Sequence, residues 1–184
     1  MDRKLLRQIC MAPGVPGYEH VAQNLAFDVL AACSDEIRRD TLGNVIALRK
    51  ATNRPPDRER PVRVMFAAHV DEFGMMVKYV NGKGLIHFIP VGGLSAEVAQ
   101  SQRVIIHGRK SIRGVVVPKG NGNGGSPPAA SDLLIDTGLS QTKLTRWVRA
   151  GDVITFEDDV SLLNGKMWVG RNFDDRIGVY CLLE

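Results

Sequence analysis

One stretch of this chain differs in texture from the rest, and it limits what the chain can fold into. From Phe73 to about Phe156 the sequence offers many short β-type runs and little helix. The runs cover residues 74–80, 85–91, 103–107, 112–117 and 153–156, and several are bounded by glycines. Short runs separated by turn residues such as Asn81-Gly82-Lys83-Gly84 predict a small β-barrel or sandwich. With 184 residues in all, the chain has room for one ordinary domain or two small ones.

The flanking segments follow another pattern. Leu5, Leu6, Ile9 and Cys10 predict a short first helix, which Ala12-Pro13-Gly14-Val15-Pro16-Gly17 breaks. Tyr18, Val21, Ala22, Leu25, Val29 and Ala32 recur at helical spacing and predict a long amphipathic helix. Residues 36–40 and 45–48 read as two strands joined by a Gly43-Asn44 turn. Residues 62–68 are nearly all apolar, as in a strand covered on both faces. Residues 165–170 return to strand, and a helix opens at Asp174 with Ile177, Tyr180 and Cys181 on its apolar side. The expectation is an α/β fold: an α/β core over 1–71 and 165–184, interrupted by an inserted all-β domain over 72–164. No internal repeat is visible.

Composition excludes several classes. An apolar content of 44% with 24% charged residues fits a soluble globular protein and not a disordered one. No run is long enough to span a bilayer, and the basic start Met1-Asp2-Arg3-Lys4-Leu5-Leu6 lacks the apolar core of a signal peptide. The cytoplasm is the default location, and no membrane partner is expected. Cys10, Cys33 and Cys181 are an odd set without CxxC spacing and read as buried, reduced thiols. The net charge of +4 comes largely from Arg49-Lys50 and residues 54–60. No aromatic residues interleave with those charges, so a solvated loop is favoured over nucleic-acid binding. Residues 120–128, rich in glycine and asparagine, read as a mobile loop.

Two acidic motifs carry the chemistry. In Ala68-His69-Val70-Asp71-Glu72, His69 and Asp71 stand two apart, so alternation turns both side chains to one side. A carboxylate beside an imidazole fixes its tautomer, the usual arrangement behind a metal-bound histidine. A core histidine satisfied by a local Asp is the other reading. In Asn172-Phe173-Asp174-Asp175-Arg176, adjacent carboxylates at a helix start serve either as caps or as cation ligands. Asp174 would lie beyond the carboxyl end of a strand, where open α/β sheets bind ligands, and one carboxylate there can bridge two cations. Arg176 is a candidate partner for a nearby carboxylate. Paired metals about 3.5–4 Å apart activate water and polarise a carbonyl, but they need more ligands than one His and one Asp. His20, His87 and His107 are poor additional candidates, since one lies on the polar side of a helix and two lie in the β-rich insert.

With these motifs the chain resembles the N-terminal part of metallopeptidase family 42, the glutamyl, leucyl and deblocking aminopeptidases. The resemblance runs through Gly17-Tyr18-Glu19, Asp40-Thr41-Leu42-Gly43-Asn44-Val45-Ile46-Ala47 and Ala68-His69-Val70-Asp71-Glu72-Phe73-Gly74-Met75-Met76-Val77. It continues through Val91-Gly92-Gly93, Ile112-Arg113-Gly114-Val115, Asp132-Leu133-Leu134-Ile135-Asp136-Thr137-Gly138 and Gly151-Asp152, and closes with residues 170–178. It implies part of a catalytic α/β/α sandwich with an inserted, PDZ-like β-barrel that mediates dimer contacts. It implies peptide substrates, two divalent ions (zinc or cobalt) and assembly into large homo-oligomers. By position, His69 would ligate one metal, Asp174 would bridge two, and Asp71 would orient His69. A cis peptide between Asp174 and Asp175 is implied as well.

The family pattern continues beyond the motifs present. Its Glu-Glu pair, a later acidic ligand and a C-terminal His have no counterpart here, and Glu184 does not match that pair. The expectation is therefore a truncated chain, inactive alone. A non-catalytic oligomerisation module derived from such an enzyme is the alternative.

Overall fold

The computed structural model describes residues 2–53, 60–120 and 128–184. Most of the basic segment and most of the glycine-rich loop singled out above lie outside the described residues. The β-rich stretch forms a closed six-stranded barrel, which decides between barrel and sandwich. Its strands are β3 (Gly74–Val80), β4 (Ile86–Val91), β5 (Arg103–His107), β6 (Ser111–Pro118), β7 (Leu133–Asp136) and β8 (Val153–Phe156). They follow the order β3-β4-β7-β6-β5-β8, and β8 pairs with β3 to close the ring. Along β6, Ile112, Gly114 and Val116 are buried while their neighbours face out, the period of two that a filled barrel requires. The interior packs Met75, Val77, Ile86, Val104, Ile106, Ile135 and Ile154. Strand β7 escaped the sequence reading of β-type runs. So did two single-turn helices, α3 (Ala96–Ala99) and α4 (Gln141–Leu144), each too short to show a period.

Outside the barrel lies a second hydrophobic cluster built on helices. Helix α1 (Arg3–Met11) starts where the Asp2 carboxylate accepts hydrogen bonds from the backbone N–H of Lys4 at 2.8 Å and of Leu5 at 3.1 Å. It ends at Ala12, held extended before Pro13. Leu6, Ile9 and Cys10 form its buried face. Helix α2 (His20–Ala31) buries Ala22 and Ala26. The expected stripe is only partly right, because Val21 and Ala32 face solvent while Leu25 and Val29 are half-buried. Helix α5 (Phe173–Leu183) buries Arg176, Val179, Tyr180 and Leu183. Its apolar face is thus rotated away from Cys181, which is exposed, as is Cys33; of the three thiols only Cys10 is buried. Burial raises the Cys10 thiol above its ordinary pKa.

Strands β1 (Glu36–Arg39) and β2 (Val45–Leu48) form the expected hairpin. The expected strand at residues 165–170 is β10 (Met167–Val169), and it pairs with an unforeseen partner, β9 (Ser161–Leu163). Residues 62–68 do not form the predicted covered strand. Val62, Val64, Met65 and Phe66 are exposed, Met65 by 89%. A strand needs neighbouring main-chain groups, and among the described residues no strand pairs with this run. Among the described residues, no helix is long and apolar enough to cross a membrane.

Candidate metal centre

The two motifs meet. His69 follows the apolar run at 62–68, and Asp174 lies in the first turn of α5, 105 residues away. Asp71 Oδ1 stands 3.0 Å from His69 Nδ1, and Asp174 Oδ1 stands 3.2 Å from His69 Nε2. The expected cis peptide joins Asp174 to Asp175. Before it, Asn172 turns through left-handed backbone (φ 62°), a conformation that Asn tolerates well. Its amide Nδ2 donates to Cys10 O at 3.1 Å. Asp174 is almost fully exposed, with side-chain accessibility of 97%.

The donor set explains why these groups suit a cation. An ionised carboxylate only accepts hydrogen bonds, so Asp71 fixes the proton of His69 on Nδ1. A neutral ring then turns the lone pair of Nε2 toward a second acceptor, Asp174 Oδ1. Two acceptors 3.2 Å apart need a proton or a cation between them. Imidazole nitrogen and carboxylate oxygen are donors of the type that zinc and similar ions take. They fit part of such a site. Among the described residues, no group of three or more His, Cys, Asp or Glu side chains could hold a metal ion.

Residues 43–184 match the model of the M42 glutamyl aminopeptidase family. This chain belongs to that family. One M42 relative is the lysyl aminopeptidase of Pyrococcus furiosus, 30% identical over all of this chain and 54% of its own length. Among solved structures, an aminopeptidase of the archaeon Desulfurococcus kamchatkensis superposes with a TM-score of 0.87 at 26% identity, over 98% of this chain and 50% of its own. The TET1 peptidase of Pyrococcus horikoshii superposes with a TM-score of 0.81 at 26% identity, over 98% and 54%. That peptidase assembles into a tetrahedron or a large octahedral shell. The chain spans about half the length of the relatives it matches.

Behind the M42 motifs lies a buried polar layer that sequence reasoning missed. Glu72, next to Asp71, is 2% exposed at its side chain and pairs with Arg171 at 2.8 Å. Glu72 also accepts from Gly14 N–H at 2.8 Å, and its own N–H donates to Gly14 O at 2.9 Å. Burial raises the Glu72 carboxyl above the usual carboxylate range, and Arg171 opposes the rise. Among the described residues Arg176 forms no ion pair with a carboxylate, the partner its place beside Asp174 suggested. It donates to the carbonyls of Ile9 and Ala12 at the end of α1, the latter at 3.1 Å, and so takes up acceptors that a helix terminus leaves free. Only glycine fits at position 14, because a Cβ there would strike the Arg176 guanidinium and come within 2.9 Å of Val70 O. The one signal in the sequence was two charged residues, Glu72 and Arg171, each abutting a site motif.

The other histidines stay out of the site. His20 is exposed beside Tyr18, with ring centroids 4.5 Å apart. His87 stacks on Tyr79. His107 meets Thr155 Oγ1 at 2.9 Å, and burial pulls its pKa down to about 4, with Arg171 adding a smaller push.

Proposed function

We propose that this chain carries one flank of the active site of a metal-dependent aminopeptidase that removes N-terminal residues from peptides. The reading is carried by one observation: His69 sits between two carboxylates, one on each ring nitrogen. In it, His69 Nε2 and the Asp174 carboxylate would hold the divalent ions, and Asp71 would keep the Nδ1 proton in place so that Nε2 stays free. Zinc or cobalt bound there supplies Lewis acidity toward water and a peptide carbonyl. The near-complete exposure of Asp174 leaves room for a substrate and for further ligands.

In this reading residues 1–71 and 165–184 contribute to the catalytic part, and 72–164 form an inserted barrel that makes dimer contacts. The tetrahedral and octahedral shells of the Pyrococcus horikoshii peptidase suggest a homo-oligomer for this protein too. A cytoplasmic location goes with the reading.

A titration with zinc and cobalt tests it, together with an assay on amino-acyl chromogenic substrates. His69→Ala and Asp174→Ala should each weaken ion binding by more than about 10-fold, since a ligand matters at least as much as the groups that support it. The 184 residues alone should turn over negligibly, because the ligand set is incomplete among the described residues. Ion binding that ignores both substitutions overturns the metal role, and turnover at the rate of a longer family member overturns the ligand shortage.

A further inference from the structure

Arg171 occupies a junction. It follows β10 and precedes Asp174 by three residues. One guanidinium nitrogen donates to Phe156 O, where the chain leaves the barrel at the end of β8. Another donates to Glu72 at 2.8 Å, where the chain is about to enter the barrel at β3. A single side chain therefore ties the barrel's entry, its exit and the segment leading to Asp174. Glu72 extends the tie to the loop after α1 through its reciprocal hydrogen bonds with Gly14.

Both members are nearly sealed from water, with side-chain exposures of 9% for Arg171 and 2% for Glu72. A buried ion pair contributes little net stability, since desolvation offsets most of its attraction, and apolar side chains could fill the same space. What an ion pair adds is direction, because a planar guanidinium meets its acceptors in a fixed fork. Here the direction is set one residue from Asp71 and three residues from Asp174. Those are the two carboxylates that flank His69.

We propose that the Glu72–Arg171 pair is a positioning device for the His69–Asp174 site, fixing the distance between its two motifs without touching a metal or a substrate. The metal arm of this proposal rests on the function proposed above, but the geometric arm does not. In the pair's absence Asp71 and Asp174 would be free to drift apart, and His69 could no longer face both.

The test uses the 184-residue chain labelled with nitrogen-15, unmodified and as Glu72→Gln, Arg171→Met and Arg171→Lys. The His69 ring signals and the Asp174 amide are read without metal, and cobalt affinity is then measured by calorimetry. Circular dichroism follows the fold. Glu72→Gln and Arg171→Met should shift the His69 ring signals and lower cobalt affinity about 10–100-fold, as loss of supporting groups does at other metal sites. Arg171→Lys, which keeps the charge toward Glu72, should restore part of both. Unchanged ring signals in folded Glu72→Gln overturn the proposal. Unfolding of both Glu72→Gln and Arg171→Lys also overturns it, since the pair would then support the fold and not the site. If the unmodified chain takes up no cobalt yet Glu72→Gln still moves the ring signals, the metal reading fails and the positioning role stands.

Discussion

The barrel and the helical layer solve the same problem in different ways. In the barrel, every strand has a neighbour on both sides, so no main-chain edge is left over. Its interior is sealed, with Val104, Ile106, Ile135 and Ile154 fully buried. In the helical layer, α1 and α5 share a sealed core around Leu6, Ile9 and Val179, but each strand pair has only two members. The apolar run at 62–66 lies exposed. Closure lets a short, strand-rich segment bury its own apolar face; an open layer depends on what else is laid against it. The candidate metal centre sits in the open part, on the exposed edge, while its buried support reaches back to where the barrel begins and ends.

This contrast can be broken or sharpened by experiment. The largest effect should come from Ile154→Ala in the barrel. The residue is fully buried, and removing it should cost about 2–5 kcal/mol in denaturant unfolding. A loss below about 1 kcal/mol would mean that the barrel interior collapses around the void and is not tightly packed.

A smaller effect should come from pH. The His107 pKa is pulled down from 6.5 to about 4 in the fold, so between those values the unfolded chain binds a proton that the folded chain does not. Stability should therefore fall as pH drops through that window, and the loss should be complete near pH 4. Because the ring keeps some access to water, the change should be roughly 2 kcal/mol, below the full linkage value. His107→Gln retains a partner for Thr155 but cannot titrate there; its unfolding curves should vary less over the same range, and an unaltered pH slope would remove His107 from the account.

The smallest effect should come from Phe66→Ser. Phe66 is 75% exposed, so the change should stay within about 0.5 kcal/mol by the same unfolding measurement. A loss comparable to that of Ile154→Ala would show that the run is covered in solution and that the two regions differ less than described.

Much of the local structure was legible in advance. The hairpin at residues 36–48, helix α1 and most barrel strands follow from turn residues, apolar period and a Pro-Gly break, all acting within a few residues. Legibility failed where burial depended on distant partners. The run at 62–68 has the composition of a covered strand, yet no described strand lies beside it. Cys181 sits at a plausible helical spacing, but α5 packs through Arg176, Val179, Tyr180 and Leu183. Arg176 was placed correctly near Asp174 and paired wrongly, because its acceptors are carbonyls on a helix 164 and 167 residues earlier. At the site, alternation along an expected strand put His69 and Asp71 on one side; they do meet, at 3.0 Å, although residues 61–73 form no strand.

What the sequence determined by itself was most of the elements and the identity of the groups able to do chemistry, since backbone preference and side-chain type act over short range. Only the tertiary structure decided that β8 closes on β3, that His69 faces Asp174 across 105 residues, and that Glu72 meets Arg171 across 99. Contacts at such separations require loop closure, whose entropic cost only the packing of a whole core can offset, and no local pattern encodes which closures the core will favour.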